Sequence, residues 1–215
     1  MKTFFPCIEA LVFDIDLTLY RHQEYYDSQG HMMVEKYALT RNQSLSETLE
    51  QFAKLRAELG SAEKLASYTL ALETLGIPVE EQSNWKNELF KPEDYLQRDE
   101  ELVTALKRLS ESFSLFAFTN NTREVAARTL AVLGVEEFFE EIWGSADIGE
   151  PKPTIKPYNM IAERLGIAMH SIAAVGDRYQ VDLAKPVEHG AAGILVESMA
   201  DVYALPELLA APEKC

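Results

Sequence analysis

The chain has 215 residues, 47% apolar and 26% charged, enough to bury a core in one domain with an insertion or in two small domains. Its formal net charge of −15 argues against nucleic acid and anionic membrane as partners, because both require a positive face. A small anionic substrate stays compatible, since a few local Lys or Arg residues can outweigh the global field.

Cys7 and Cys215 stand at opposite ends of the chain, form neither a disulfide framework nor a metal-ligand spacing, and read as idle thiols of a reducing compartment. The stretch from Met1 to Ala10 carries Pro6 and Glu9 and is too short and polar for a secretory signal. No apolar run reaches spanning length, and the expectation is a cytoplasmic protein.

Ala10 to Phe13 is a short apolar run that reads as a strand buried on both faces, with Asp14 at its carboxyl end and Asp16 two residues on. From Tyr20 to Leu96 no clear strand follows. Leu45, Leu49, Phe52, Leu55 and Leu59 recur at helical spacing, and Gly60 closes that helix as a C′ residue. Leu65, Tyr68, Leu72 and Leu75 repeat the pattern up to Gly76 and Pro78. Shorter helices are expected over Val34 to Leu39 and Trp85 to Phe90, and Lys91 to Asp94 reads as the return linker. The organisation expected is an α/β core of residues 1–19 and 97–215 with a helical domain, 20–96, inserted after the first strand.

From Asp99 helices and strands alternate. Leu102, Leu106 and Leu109 share a helix face, and Phe113 to Phe118 is the second strand. Asn121 with Glu124 reads as a capping box for the next helix, which Gly134 closes. Ile142 to Ser145 is the third strand. Thr154 is placed to cap the helix that follows, with Pro157 in its first turn, where a missing N–H costs little. Ile172 to Val175 and Ala191 to Val196 complete the set. This alternation predicts a parallel sheet with helices on both faces.

Three strand ends are polar and would meet at one edge of such a sheet, where ligands bind in open α/β folds. The first offers Asp14 and Asp16, the second Thr119, and the fourth Asp177 with Asp182 five residues later. Lys152 or Lys156 precedes the helix before the fourth strand. Two acids so close resist ionising together unless a positive charge sits between them. Four carboxylates suit a hard divalent cation, Mg²⁺ above all, and the hydroxyl and ammonium suit a phosphoryl group. His22, His31, His170 and His189 show no ligand spacing. Tyr20, Tyr25, Tyr26 and Tyr37 could line a pocket, although packing accounts for most of them. Arg21 and Arg123, close behind the first two strands, are as consistent with surface placement as with a reach toward substrate.

The chain resembles the haloacid dehalogenase-like superfamily of hydrolases, through four motifs in order between Leu11 and Val196. Leu11 to Thr18 is similar to its apolar D-x-D-x-T motif, and Phe116 to Asn120 to its second. Lys152-Pro153, six residues before Tyr158, is similar to its third, and Val175 to Asp182 to its G-D-x-x-x-x-D motif. The resemblance implies a Rossmann-like parallel sheet core of order 5-4-1-2-3 and an α-helical cap of the C1 type. It implies that Asp14 attacks phosphorus to form an aspartyl phosphate. Asp16 then serves as acid and base, its backbone carbonyl helping to hold Mg²⁺. Thr119, Asn120 and Lys152 bind the phosphoryl group, and Asp14, Asp16, Asp177 and Asp182 form the metal site. Of the two Lys-Pro pairs, Lys152 has the family's spacing to Tyr158 and to Leu165-Gly166. Lys185-Pro186 departs from the pattern, so the helix after Asp182 should begin late or bend.

The function expected is a Mg²⁺-dependent phosphatase acting on a small phosphorylated metabolite. The D-x-D-x-T-L-Y start is similar to the pyrimidine 5′-nucleotidase branch, which implies a nucleoside monophosphate. Alternatives are a sugar-phosphate or phosphoglycolate phosphatase, a phosphomutase, a 2-haloacid dehalogenase and a non-catalytic binding module. Asp16 and Asp177 argue against dehalogenation, which needs neither a proton donor at the halide nor a cation.

Overall fold

A computed structural model describes residues 8–60 and 66–210, so both cysteines and Leu65 lie outside it. The chain divides into two compact units. One runs to His22 and resumes at Pro92; the other is Gln23–Lys91. Tyr20 to His22 and Pro92 to Leu96 thus belong with the α/β residues rather than with the helical insertion.

The α/β unit is built on five parallel strands, β1 (Ala10–Phe13), β2 (Ser114–Phe118), β3 (Glu141–Trp143), β4 (Ile172–Gly176) and β5 (Ala192–Leu195), in the order 3-2-1-4-5. This is the expected order read from the opposite edge. β1 is central and buried throughout, as its uninterrupted apolar run requires. Phe13 is level with Ala117 on one neighbour and Val175 on the other, so Asp14, Phe118-Thr119 and Gly176-Asp177 emerge together at the carboxyl edge. On one face Val12 joins Phe116, Trp143, Tyr158 and Ile161, with the Phe116 and Trp143 rings stacked at 5.5 Å. Phe13 meets the edge of Phe139 at 6.0 Å.

The insertion holds α1 (Gln23–Arg41), α2 (Leu45–Leu59), α3 (Tyr68–Thr74) and α4 (Val79–Leu89). α1 is far longer than the expected 34–39. Its buried positions, Tyr25, Gln29, Gly30, Met33, Val34, Tyr37 and Ala38, keep strict helical spacing, but two are Gln and Gly, so hydrophobicity alone hides the stripe. Gly30 is there for contact: a Cβ at that position would sit 2.2 Å from the Tyr68 ring. Tyr37 and Phe52 pack edge to face at 5.3 Å, and Phe52 stacks on Tyr68 at 6.5 Å. Gly60 ends α2 in an extended conformation (φ −82°), not the left-handed one expected of a C′ residue.

After the return, a 3₁₀ turn at Pro92–Asp94 leads to α5 (Glu100–Ser110), capped by Asp99, and β2 leads to α6 (Arg123–Leu133). Thr122, not Asn121, caps α6 by accepting from Val125 N at 3.2 Å. α7 (Ser145–Ile148) and α8 (Lys156–Leu165) follow β3. Thr154 Oγ1 accepts from Lys156 N at 3.1 Å at the start of α8. After β4 comes one π-helical turn, Tyr179–Leu183, before α9 (Ala184–Glu188), where Lys185-Pro186 falls. Two short helices, α10 (Met199–Tyr203) and α11 (Leu205–Leu209), end the described chain. No helix among the described residues is long and apolar enough to cross a membrane.

Candidate active site

Beyond β1 the chain turns once over Ile15 to Leu19, with Leu19 N bonded to Ile15 O at 2.9 Å and Leu17 held at φ +61°. A leucine there costs about 1–2 kcal/mol, so the bonds around it must hold it in place. Two of them run from i+4 back to i. Thr18 donates to Asp14 Oδ2 at 3.0 Å, and Tyr20 donates to Asp16 Oδ1 at 2.7 Å. The turn therefore aims each acid by a hydroxyl four residues later.

Asp14 is buried, with its own N–H bonded to Val175 O at 2.8 Å. Its Oδ1 takes the Lys152 ammonium at 2.6 Å, and Lys152 also reaches Asp182 Oδ1 at 3.0 Å. Lys156 points elsewhere, half-exposed and paired with Glu150 at 3.2 Å. Burial alone would push the Lys152 pKa down; Asp14 and Asp182 outweigh it and hold the ammonium above its ordinary value.

Asp16 has a different neighbourhood. Its Oδ2 accepts from Thr119 Oγ1 and from Asn121 Nδ2, both at 3.0 Å. Thr119 Oγ1 in turn accepts from Asn121 N at 3.1 Å, so its own proton is free to point at Asp16. Burial first, and the Asp14 charge second, raise the Asp16 pKa, against the pull of Tyr20, Thr119 and Lys152.

Asp182 is set by the π-helical turn. Its Oδ2 accepts from Arg178 N at 3.1 Å. Gly176 makes the room: a Cβ there would lie 2.5 Å from Asp182 Cβ. Oδ1 of Asp177 is buried and has no hydrogen-bond partner among the described residues, with the Arg178 Nε at ion-pair distance, 3.4 Å. Burial, then the Asp14 charge, raise the Asp177 pKa, and the same two causes lead for Asp182.

Asp14, Asp177 and Asp182 each offer one oxygen within 4.8 Å of the others. Three hard oxygens, one lacking a hydrogen-bond donor, fit a divalent cation. The Asp16 side chain stands outside this group, engaged with its three donors.

Of the residues expected at a phosphate, Lys152 carries its charge to Asp14, whereas the Thr119 hydroxyl is given to Asp16. Asn120 Oδ1 accepts from Lys152 N at 2.7 Å and so holds the lysine's loop. Arg21 donates from Nη2 to Val196 O at 3.0 Å, and Arg123 opens α6. Arg21, His22 and Arg98 line an open cleft of about 540 Å³ that also includes Tyr20. The sequence reading missed Tyr20 and Asn121 as partners of Asp16. The i, i+4 spacing of Asp16 and Tyr20 is the one signal that pointed to the first.

A parallel sheet whose central strand delivers two aspartates to its carboxyl edge, one against a lysine and one among neutral donors, suits carboxylate chemistry at that edge. The chain belongs to the haloacid dehalogenase-like hydrolase family, whose sequence model matches residues 11–191. It is similar to the glyceraldehyde 3-phosphate phosphatase of Methanopyrus kandleri, with 26% identity over 186 residues, covering 82% of this chain and 78% of that protein. It is similar to the 5-amino-6-(5-phospho-D-ribitylamino)uracil phosphatase YigB of Escherichia coli, with 24% identity over 209 residues, covering 85% of this chain and 81% of that one. Among solved structures, the HAD phosphatase from Thermococcus onnurineus shares the fold at TM-score 0.68 and 17% identity, covering 94% of this chain and 98% of the other.

Proposed function

We propose that the protein is a Mg²⁺-dependent phosphatase that hydrolyses a small phosphomonoester through an aspartyl phosphate on Asp14. The observation that carries this reading is the contrast between its two adjacent acids. Asp14 faces an ammonium at 2.6 Å, which holds the carboxylate oxygen in place and offsets charge beside it, as a nucleophile meeting a phosphate needs. Asp16 is raised in pKa among neutral donors, which favours a proton donor. The names of the two curated relatives, both phosphatases, point the same way.

Asp14 attacks phosphorus as the ester P–O bond breaks, and Asp16 gives its proton to the departing oxygen. Water then attacks the aspartyl phosphate, Asp16 takes back a proton, and phosphate leaves with Asp14 restored. Lys152 offsets the charge of the incoming phosphate and keeps Asp14 in place. Asp14, Asp177 and Asp182, with the backbone carbonyl of Asp16, would hold Mg²⁺, whose charge stabilises the transferring phosphoryl oxygens. The helical unit, Gln23–Lys91, corresponds to the C1-type cap that the family resemblance implies. The donors on Asp16 and the buried Asp177 oxygen that lacks a hydrogen-bond donor among the described residues favour this reading over dehalogenation, which uses neither.

Tyr37 and Phe52 are buried in the helical unit, where they pack edge to face, and the half-buried Tyr68 stacks on Phe52. The phosphate site sets the substrate class: one phosphate on a small remainder, with a nucleoside monophosphate as one member of the class. The test is phosphate release from UMP, CMP, glyceraldehyde 3-phosphate, phosphoglycolate and sugar phosphates, with Mg²⁺ and with chelator. Turnover of at least one ester that the chelator abolishes is expected. No release from any ester defeats the reading, and equal rates with chelator defeat the metal. A preference for UMP and CMP selects the nucleotidase branch.

A further inference from the structure

We infer that Tyr20 is a positioning residue for the acid–base step, holding Oδ1 of Asp16 as the oxygen that carries the proton; this rests on the phosphatase reading above. A carboxyl group has two oxygens, and the hydrogen bonds here distinguish them. Oδ2 accepts from the Thr119 hydroxyl and from the Asn121 amide, both at 3.0 Å. The amide nitrogen can only donate. The Thr119 hydroxyl, 1% exposed, has Asp16 as the one acceptor for its proton among the described residues, while its oxygen accepts from Asn121 N at 3.1 Å, so it too is placed to donate. A proton on Oδ2 would face two donors. Oδ1 meets only the Tyr20 hydroxyl in the bonds described, at 2.7 Å, and a phenol hydroxyl donates or accepts with equal ease.

Tyr20 can therefore serve Asp16 in both of its states without moving. It accepts from Oδ1–H before the leaving oxygen takes that proton, and donates to the bare Oδ1 afterwards. When water later gives a proton back to Oδ1, the hydroxyl rotates again. The proton count closes at Asp16 alone, and Tyr20 ends each turnover as it began.

The geometry is built for this. Tyr20 is 4% exposed, so packing fixes its ring, and it lines the open cleft beside Arg21 and His22. It lies four residues after Asp16, on a turn that holds Leu17 at φ +61°. That turn brings the phenol back over the acid it follows, as it brings Thr18 back to Asp14 at 3.0 Å. Thr18 can only help hold a nucleophile that keeps its charge; Tyr20 sits on the acid that must change.

The experiment compares Tyr20→Phe with the unaltered enzyme on p-nitrophenyl phosphate, whose leaving group needs no proton, and on an alkyl phosphate, whose leaving group does. The variant should lose about tenfold to a hundredfold in the single-turnover rate of leaving-group release on the alkyl ester and several-fold less on the aryl ester, with KM little changed on both. Equal losses on the two esters, or a loss confined to KM, overturn the inference. Asp16→Asn, run alongside, separates the two levels. If its single-turnover release of the leaving group falls equally on both esters, the acid role of Asp16 fails and the phosphatase mechanism with it. If it shows the leaving-group split and Tyr20→Phe does not, only the role of Tyr20 fails. Thermal unfolding of Tyr20→Phe checks folding, and Tyr20→Trp, which keeps the ring bulk and a donor that cannot accept, should share the alkyl-ester defect.

Discussion

Asp14 and Asp16 leave the same strand two residues apart and live in opposite surroundings. Asp14 is matched by a full positive charge, Lys152, and one hydroxyl. Asp16 has no ion-pair partner among the described residues and three neutral donors, Tyr20, Thr119 and Asn121. An ammonium compensates a carboxylate's charge far more than neutral donors do, which is the basis for proposing the first acid as the nucleophile and the second as the group that gives and retakes a proton. On that proposal environment, rather than residue type, divides the labour between two identical side chains.

The sharpest way to break this contrast is to remove the charge on the nucleophile's side. Asp14→Asn should lower kcat by about 10⁴-fold or more, the scale of loss when a covalent nucleophile is deleted. Far-UV circular dichroism should be unchanged, because the residue sits at a strand end. Next in size, Lys152→Met leaves Asp14 and Asp182 buried with no cation between them. Removing one partner of a buried ion pair costs about 3–5 kcal/mol, so urea unfolding should shift by that order. Adding Asp182→Asn to Lys152→Met should recover part of the loss.

Asp177 tests the cation side. Asp177→Asn should cut kcat/KM roughly 10²-fold, about 2.7 kcal/mol of transition-state stabilisation, yet raise the melting temperature measured in chelator. Burial and Asp14 hold the Asp177 pKa above the ordinary 3.8. The folded state thus binds this proton more tightly than the unfolded chain, and stability falls as pH rises from the unfolded value through the folded one. The gain from Asn should accordingly be full at pH 7 and vanish as pH drops through the folded pKa toward 3.8. Mg²⁺ should raise the melting temperature of the unaltered protein and leave Asp177→Asn unmoved. The smallest effect is expected of Gly176→Ala, whose Cβ meets Asp182. Overpacking of this kind costs about 1–3 kcal/mol, and kcat/KM should fall less than in Asp177→Asn.

What could be read in the sequence follows from what the sequence encodes locally. The strands were legible because short apolar runs such as Leu11 to Phe13 have one stable use, and because the first, second and fourth run into polar residues. The sheet order and the gathering of Asp14, Asp16, Thr119 and Asp177 at one edge followed from the strands and the family motifs. α1 was not legible, since its buried face includes Gln29 and Gly30, which periodicity counts as polar. The split between the two acids was not legible either. It depends on Asn121 turning its amide to Asp16 rather than capping α6, and Thr122 takes the cap instead. A one-residue choice between two good N-cap types is decided by tertiary contacts. Tyr20 reads as pocket or packing until the left-handed Leu17 folds it back.

The division of labour predicts one outcome above others. Asp16→Asn, which keeps the nucleophile and removes the acid–base group, should form the aspartyl phosphate from p-nitrophenyl phosphate and then stall, because nothing remains to activate water. Rapid-quench mass spectrometry should find one phosphoryl group on the peptide that carries Asp14, after a single-turnover burst of p-nitrophenol. No trapped phosphoryl group despite a burst, or a phosphoryl group on any other peptide, would contradict Asp14 as the nucleophile and Asp16 as the group that completes the cycle.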